Sequence, residues 1–425
     1  MAYAVSLPFK KQRRFYVEII KSKRPNTARS RLFRGAAVFL AAALIVQLIC
    51  MLIMTRDGQM LIYPAAVRLH ASKITENNLS VAEFYPMHDE ISDAKVIILS
   101  VDEYVAGSYT LAESYLGFLR RFVDLDYVVL YDTNTKFRAL NDAAIAGDTT
   151  ALAESLAQMK KSKSISDQMI SFVEECSKEN AKLLPNNKFS MFGIRKISSI
   201  ADIASNLTSD LFAAPGVFNA EVQTLISERD SAAFCEKFNA LAETLASALG
   251  DNFAKYQHYV ELIEAGTLAE SVAYETLISL VPTEGGAIFA VLPESLCRRG
   301  SPFLSMVEAY YGKTVVNHTV YYDCETRSGR DTVKRNNLGG AFMFGEDSVY
   351  IIPKTKTENF RRRLADICGK DPDDSEIYDL IGDVGASTVF AVSRSGTVTY
   401  GSQSNTDTTS DTSDTTAGVS ENADT

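Results

Sequence analysis

Residues 94–148 constrain the fold of this chain most, because they alternate between the patterns of a buried strand and of a helix. Residues 96–99 are a short run of Val, Ile and Leu, which is typical of a strand buried on both faces. Apolar residues then recur at helical spacing to residue 122, and residues 127–131 form a second buried-strand run. Two strands joined by a helix make a parallel βαβ unit. Ligands of such sheets usually bind beyond the carboxyl ends of the strands, so we expect any site at residues 100–107 and 131–135.

Strand patterns return later in the chain. Further buried-strand runs occur at residues 188–193, 287–292, 314–322 and 388–393, with helical patterns between them. The predicted fold class is therefore α/β, with a mainly parallel sheet, flanking helices and a helical insertion at about residues 151–280.

Residues 35–55 form an apolar run that is long enough to cross a bilayer. About 20 residues span the hydrocarbon core as a helix. A cleavable signal peptide has a shorter apolar region, of about 7–15 residues, and ends in small residues. This run ends in the bulky Leu52, Ile53 and Met54. It predicts an uncleaved transmembrane signal anchor.

The charge distribution predicts the orientation of this anchor. Ten of the first 34 residues are Lys or Arg and one is Glu, although the whole chain has a net charge of −10. Basic segments of this kind stay in the cytoplasm. We therefore expect a single-pass protein of the cell membrane, with its body outside. Because the body is strongly acidic and would repel phosphates, we expect no nucleic-acid partner.

Shifts in composition divide the chain into segments. Half of the residues from 402 onward are Ser or Thr and none is cationic, so this part has too little apolar surface to order. The predicted organisation is a basic cytoplasmic tail (1–34), a transmembrane anchor (35–55), a polar connecting segment (56–93), an extracytoplasmic α/β domain (94–400) and a disordered tail (401–425).

Several short motifs, taken in order, carry a family resemblance. After the βαβ unit, residues 140–148 read Leu-Asn-Asp-Ala-Ala-Ile-Ala-Gly-Asp, and residues 192–195 read Phe-Gly-Ile-Arg. A late strand, a loop and a helix then lead to Tyr-Gly at residues 311–312. Over residues 94–322 the chain resembles the erythromycin esterase-like proteins and their distant Tiki/haem-uptake relatives. The resemblance implies an esterase-like α/β fold.

The residues that this resemblance would make catalytic are replaced. The family places Glu and His after the first strand, Glu at the end of the second strand and His in the late loop. This chain has Val101 and Glu103, then Tyr131, and a late loop that reads Pro-Glu-Ser at residues 293–295. Valine cannot accept a proton as a general base. The resemblance therefore implies an esterase-like fold whose usual active site is lost.

Four carboxylates still follow predicted strands, and they are the candidate catalytic and metal-binding residues: Asp102, Glu103, Asp132 and Glu294. If these side chains lie together at the carboxyl edge of the sheet, they could bind Ca²⁺ or Mg²⁺ through oxygen ligands, or form an acid/base pair. The alternative is that the loops of an acidic protein carry acidic side chains without a common role. No cysteine pair has zinc-site spacing, so the sequence predicts no cofactor beyond a divalent cation.

Three functional hypotheses follow. The first is a membrane-anchored, extracytoplasmic, esterase-like domain that has lost catalysis and acts in binding or scaffolding at the cell envelope. Its partners would be the bilayer at residues 35–55 and an envelope protein or a small ligand. The alternative is a divergent, metal-assisted hydrolase that uses the carboxylate rim. The third is a structural partner of an envelope machine that associates through the membrane helix or the cytoplasmic tail.

The orientation can be tested by adding protease to intact cells that make the chain with a different tag at each end. We expect the body to be degraded and the amino-terminal tag to be protected, because the basic segment stays in the cytoplasm. Immunoblots measure both tags, and permeabilised cells serve as the control. Loss of the amino-terminal tag with survival of the body would reverse the orientation.

Overall fold

A computed structural model describes the following parts of the chain: residues 28–74, 81–102, 105, 107–131, 135–161, 166–194, 197, 199–212, 215–328, 331–336 and 348–399. The predicted tail at 401–425 and most of the basic amino-terminal segment lie outside these residues.

The strands of the described residues are β1 (Ser72–Ile74), β2 (Val96–Val101), β3 (Asp124–Leu130), β4 (Ser190–Gly193), β5 (Gly286–Pro293), β6 (Val315–Ser328), β7 (Asp331–Asn336), β8 (Ser348–Ile352) and β9 (Val389–Thr399). The α-helices are α1 (Ala28–Met54), α2 (Arg56–His70), α3 (Val81–Phe84), α4 (His88–Ile91), α5 (Ser108–Phe122), α6 (Thr135–Ala146), α7 (Thr149–Lys161), α8 (Asp167–Ala181), α9 (Ile200–Leu211), α10 (Ala220–Ser227), α11 (Ser231–Ala240), α12 (Ala242–Leu249), α13 (Phe253–Glu264), α14 (Leu268–Ile278), α15 (Glu294–Cys297), α16 (Pro302–Tyr311), α17 (Lys354–Cys368) and α18 (Ser375–Ile381). Short 3₁₀ turns lie at Tyr85–Met87, Pro185–Asn187, Pro215–Val217, Gly250–Asn252 and Gly312–Thr314.

The strands form one nine-stranded sheet in the order β1-β8-β9-β6-β2-β5-β3-β4, with β7 paired to β6. The pairs from β9 through β6, β2, β5 and β3 to β4 are parallel. Antiparallel pairing is confined to β1 with β8, β8 with β9, and β6 with β7 among the described strands. The prediction of an α/β fold with a mainly parallel sheet and flanking helices is confirmed.

The two strands of the βαβ unit are not neighbours. Strand β5 lies between them, because Val96 of β2 aligns with Ile288 and Leu130 of β3 aligns with Val291. All six residues of β2 are buried, as are all residues of β5 except Pro293. Burial on both faces explains why these strands read as continuous apolar runs.

Helices cover both faces of the sheet. On one face, α5 and α8 pack on side chains such as Leu99, Phe289 and Phe390. We call this the α5 face. On the opposite face, α14 to α16 cover β2, β5 and β3, whereas α2, α17 and α18 cover β6, β8 and β9. We call this the α16 face. A further core joins α9 to α14 away from the sheet.

The segment predicted as a polar connector, residues 56–93, contributes to the core and to the sheet. Tyr63 and Val67 of α2 are buried, and the Tyr63 hydroxyl donates to the Ile381 carbonyl at 2.7 Å. Strand β1 pairs with β8 at the edge of the sheet. The buried Tyr63 and Val67 lie four residues apart on one side of α2, whereas Leu61 and Leu69 are exposed. Helical spacing, and not the average composition of the segment, therefore selects the side chains that pack.

Helix α1 contains one apolar stretch, Gly35–Met54, that is long enough to cross a membrane, and none of that stretch is buried in the protein. Length and composition fit a membrane anchor, and a signal sequence near an amino terminus has the same pattern.

Two asparagines complete the hydrogen bonding around the edge strand β4. The Asn141 side chain accepts from the Met191 N–H at 2.8 Å and donates to the Met191 carbonyl. Asn180 makes the same pair of bonds with Phe189, at 3.1 and 2.7 Å. The side-chain amides thus hydrogen-bond to backbone groups that would otherwise be unpaired at the edge of the sheet and could pair with another strand. Asn141 opens the Asn-x₅-Gly-Asp motif, so this part of the family pattern has a structural role here.

Replacement of Asn141 by Ala should destabilise the protein by about 1–3 kcal/mol, because both Met191 backbone groups lose their partner. Denaturant unfolding of the full chain in detergent, followed by circular dichroism, measures the change. Asn239→Ala, at an exposed position of α11, is the matched control and should have little effect. Equal stability of the two variants would contradict this role of Asn141.

Candidate functional site

The structure brings two of the four candidate carboxylates to one edge of the sheet. Strands β2 and β5 end side by side, with Val101 aligned to Pro293, and Asp102 and Glu294 are the residues that follow. Asp102 is buried, and Glu294 accepts from the Arg298 guanidinium at 3.2 Å. Glu103 and Asp132 lie outside the described residues. Within the described ranges, no group of three His, Cys, Asp or Glu is placed to hold a metal ion. The divalent-cation site therefore stays a prediction.

The two residues that replace family glutamates do not share a pocket. Val101 is buried in the core on the α5 face, whereas Tyr131 packs at the margin of the core on the α16 face. Val101 is level with Pro293 of β5, whereas Leu130 is level with Val291, so Tyr131 lies one residue short of the level of Val101. Successive levels of a sheet point to opposite faces, and the two side chains therefore diverge.

The turn after β2, where the resemblance would put catalytic residues, is closed by buried contacts. The hydroxyl of Tyr322, on β6, accepts from the Asp102 N–H at 2.6 Å and lies 3.0 Å from Ser108 Oγ. Ser108 in turn donates to the Val105 carbonyl at 2.9 Å. Tyr322, Ser108 and Val105 are all almost completely buried. Gly107 has a positive φ of 94°, which lets the chain enter α5 directly from this turn.

All four histidines of the chain lie outside this turn and the late loop. His70 ends α2 and His88 is part of α4. His258 hydrogen-bonds to Glu275 at 2.7 Å, an interaction that raises the pKa of the histidine. His318 is buried in β6.

His318 is a core residue with one satisfied nitrogen. Its Nδ1 lies 2.8 Å from the Thr388 carbonyl, which can only accept, so Nδ1 carries the proton. Its Nε2 has no hydrogen-bond partner among the described residues. Burial lowers the pKa of His318, although the negative charge of Glu90 opposes this shift. The ring packs edge-on against Tyr115 and Phe390.

A cleft of about 280 Å³ opens beside the first half of β6. We call it the β6 cleft. Its walls come from separate parts of the chain: Glu90, Arg299, Leu304, Glu308, Lys313, Val315, Val316, Asn317, Lys354, Asp383, Ala386 and Ser387.

Neutral groups hold two of the three carboxylates in the β6 cleft. Glu90 accepts from the N–H of Thr388 at 3.0 Å and from its hydroxyl at 2.6 Å. Asp383 accepts from the Thr319 hydroxyl at 2.8 Å, and its own N–H donates to the Tyr321 hydroxyl at 2.7 Å. Both carboxylates thus stay in place without using a cation of the cleft.

The third carboxylate belongs to Glu308, an exposed residue of α16. Partial burial raises the pKa of its carboxyl group, the Arg299 guanidinium opposes this shift, and the Asp383 carboxylate adds to it. The Arg299 guanidinium itself lies 3.5 Å from the centre of the Tyr378 ring. Arg299 is thus held near Glu308 by a cation–π contact.

Three further polar groups of the β6 cleft lack a partner among the described residues. The ammonium groups of Lys313 and Lys354 form no ion pair with a described residue. The side-chain oxygen of Asn317 is buried and has no hydrogen-bond partner there, while its nitrogen donates to the Cys297 carbonyl at 2.9 Å. The arrangement suits a small ligand that has an anionic group for the lysines and a donor for Asn317. Sequence reasoning missed this cleft because no local motif unites its residues.

No family model and no curated protein sequence matches this chain. Among solved structures, a protein from Bacillus cereus is similar to 80% of this chain and to 98% of its own, with a TM-score of 0.50 and 14% identity. A succinoglycan biosynthesis protein matches 79% of this chain and 97% of its own, with a TM-score of 0.48 and 12% identity. An erythromycin esterase mutant in its open conformation matches 67% of this chain and 90% of its own, with a TM-score of 0.45 and 11% identity. The similarity to the Bacillus cereus protein shows a shared fold, and an erythromycin esterase is among the structural neighbours.

Removing the Tyr322 hydroxyl should loosen the turn after β2. Tyr322→Phe leaves the buried Asp102 N–H without its acceptor, which costs about 1–3 kcal/mol of unfolding free energy. Denaturant unfolding gives the loss, and hydrogen exchange of residues 100–108 should accelerate. Tyr310→Phe changes an exposed tyrosine and serves as the control. A Tyr322→Phe variant as stable as the control would show that the hydroxyl does not hold the turn.

Proposed function

We propose that this chain is a membrane-anchored binding protein of the cell envelope, whose esterase-like body has lost catalysis and holds a small anionic ligand in the β6 cleft. The observation that carries the proposal is the pair of cleft lysines, Lys313 and Lys354, that no described carboxylate neutralises. A cation left without an internal partner at the wall of a cleft is available to bind an anion.

Loss of catalysis is supported by the turn after β2. Tyr322, Ser108 and Val105 are buried beside Asp102 in this turn, and the residue at the end of β2 is the buried Val101, which has no titratable group. The two proton-transfer residues that the family pattern would need here, Glu and His, are replaced. General acid–base catalysis requires a titratable group within hydrogen-bond reach of the substrate.

Anchoring is supported by α1. Its apolar stretch Gly35–Met54 is exposed along its length, and the segment before it is strongly basic. Exposed apolar side chains in such number are unfavourable in water and favourable in a bilayer. With the basic segment in the cytoplasm, the β6 cleft faces the outside of the cell.

The cleft also limits the chemistry of the ligand. Three cations and three carboxylates line it, so its formal charge is balanced. A ligand with one phosphate or carboxylate group can contact Lys313 and Lys354. Hydroxyl or ammonium donors on the same ligand can contact the Asn317 oxygen and the carboxylates of Glu308 and Asp383. We therefore propose a small polyhydroxylated or zwitterionic ligand with an anionic group.

A divergent hydrolase is the second candidate function. In its favour, Asp102 and Glu294 follow adjacent strands. These residues lie at the same edge of the sheet, so substrate at the rim could meet both.

Binding can be tested by calorimetry on the full chain in lipid nanodiscs, with inorganic phosphate, glycerol 3-phosphate and acetate as probes. Lys313→Gln and Lys354→Gln should each weaken binding about tenfold, the effect of losing one charge-assisted hydrogen bond. The matched control is Lys356→Gln, an exposed lysine of α17 outside the β6 cleft.

The same preparation separates the two functions. Equal affinities of the cleft variants and the control would contradict the binding proposal. Hydrolysis of a simple ester that disappears in Asp102→Asn or Glu294→Gln, and persists in Lys354→Gln, would support the hydrolase instead.

A further inference from the structure

The anchor helix α1 and the helix α2 meet at a one-residue break. Thr55 separates them with extended backbone dihedrals, φ −117° and ψ 150°. Its side-chain oxygen accepts from the Gly58 N–H at 3.2 Å and its hydroxyl donates to the Met51 carbonyl at 2.7 Å. The break therefore lies one residue beyond the apolar stretch Gly35–Met54, where a membrane-spanning helix reaches the headgroup layer.

The first turn of α2 packs directly on the backbone of α1. A Cβ atom at Gly58 would lie 2.4 Å from the Leu52 Cα and 2.7 Å from the Leu52 carbonyl oxygen. Real Cβ contacts do not occur at such distances, so this approach requires glycine. At Gly35, by contrast, an added Cβ would meet nothing within 4 Å.

The body of the protein caps the end of the anchor helix. The last carbonyls of a helix have no donor within the helix. The Ile53 carbonyl accepts from the side-chain amide of the buried Gln59 at 2.6 Å and from the Arg363 guanidinium at 3.2 Å. Arg363 belongs to α17, so a helix at the far end of the chain contacts the anchor where it leaves the apolar stretch.

Helix α2 is in turn fixed to α17. The rings of Tyr63 and Phe360 stack at 5.4 Å, and both Tyr63 and Val67 are buried. The segment between anchor and body is thus a packed joint rather than a flexible linker. We call the contacts of Leu52, Ile53, Gly58, Gln59 and Arg363 the anchor joint.

We infer that the anchor joint holds the body against the bilayer in one orientation, with Arg56 and Arg363 in contact with phospholipid phosphates. This inference rests on the membrane anchoring proposed above. Arg363 uses one N–H on Ile53, and a guanidinium has five, so donors remain for a phosphate at the same level. Arg56 is exposed and follows the span by two residues. Long cationic side chains at the end of a span place their charge in the headgroup layer.

The test compares amide exchange of residues 56–63 in phosphatidylglycerol nanodiscs and in maltoside micelles, which contain no phosphate. We expect exchange to be about tenfold slower in the nanodiscs, the effect of one charge-assisted hydrogen bond. Arg363→Gln should remove most of this difference. Arg362→Gln, which changes the neighbouring arginine paired with Glu358, should keep it.

A second pair of variants tests the packing of the joint. Gly58→Ala should speed exchange of residues 56–63 in both media, whereas Gly35→Ala should not, because only Gly58 lacks room for a Cβ. Equal exchange of the wild-type chain in the two media, or equal effects of the two arginine variants, would overturn the contact with lipid phosphate. Retention in vesicle pellets after alkaline carbonate extraction reports on the anchor alone, so a failure of anchoring is distinguishable from a failure of the joint.

Discussion

The structure depends on the pairing of one strand, β6, with β2 on one side and β9 on the other. Without these two ladders the sheet would separate into two halves, one covered by α14 to α16 and one by α2, α17 and α18. Parallel ladders need long connections and form only when both faces are covered. This requirement explains why helices from both ends of the chain, including α2 next to the apolar stretch of α1, pack on the same sheet.

The same strand contributes to most features of the site. Along β6, Asn317 and Thr319 contact the β6 cleft or the carboxylate that lines it, whereas His318 and Tyr322 point to the α5 face. The alternation of a strand thus separates two environments within a few residues. On the α5 face the Tyr322 hydroxyl contacts Asp102 and Ser108 in the turn after β2, whereas Nε2 of His318 has no hydrogen-bond partner among the described residues. In the β6 cleft, Lys313 and Lys354 have no ion-pair partner among the described residues. The turn after β2 and the β6 cleft are thus two separate places along the same strand.

The positions of Asn141 and Val101 in the structure give a physical reason for the way this chain resembles the esterase-like pattern and departs from it. Asn141 of the Asn-x₅-Gly-Asp motif has a structural role, because its side-chain amide hydrogen-bonds to the backbone N–H and carbonyl of Met191 in the edge strand β4. Val101 occupies a fully buried strand end, where an apolar residue packs and a charged one would have to be desolvated. The part of the pattern that supports the fold is retained, and the part that supplied proton transfer is replaced. Loss of catalysis in this chain remains a proposal, and the ester hydrolysis experiment addresses it.

The sequence by itself determined the class of the fold and the existence of an apolar span. Runs such as residues 96–99 must be buried on both faces, and no helical or polar pattern competes with them. The sequence also located Asp102 and Glu294 just past two strands, because the apolar run of a buried strand ends at an identifiable residue. Only the tertiary structure decided that β5 lies between β2 and β3, that residues 56–93 pack in the core, and that Val101 and Tyr131 belong to opposite faces. Local periodicity reports how a residue relates to its own strand or helix, whereas strand order and the β6 cleft arise from contacts between residues hundreds of positions apart. Those contacts depend on the packing and hydrogen bonding of the whole chain, and a short stretch of sequence does not contain this information.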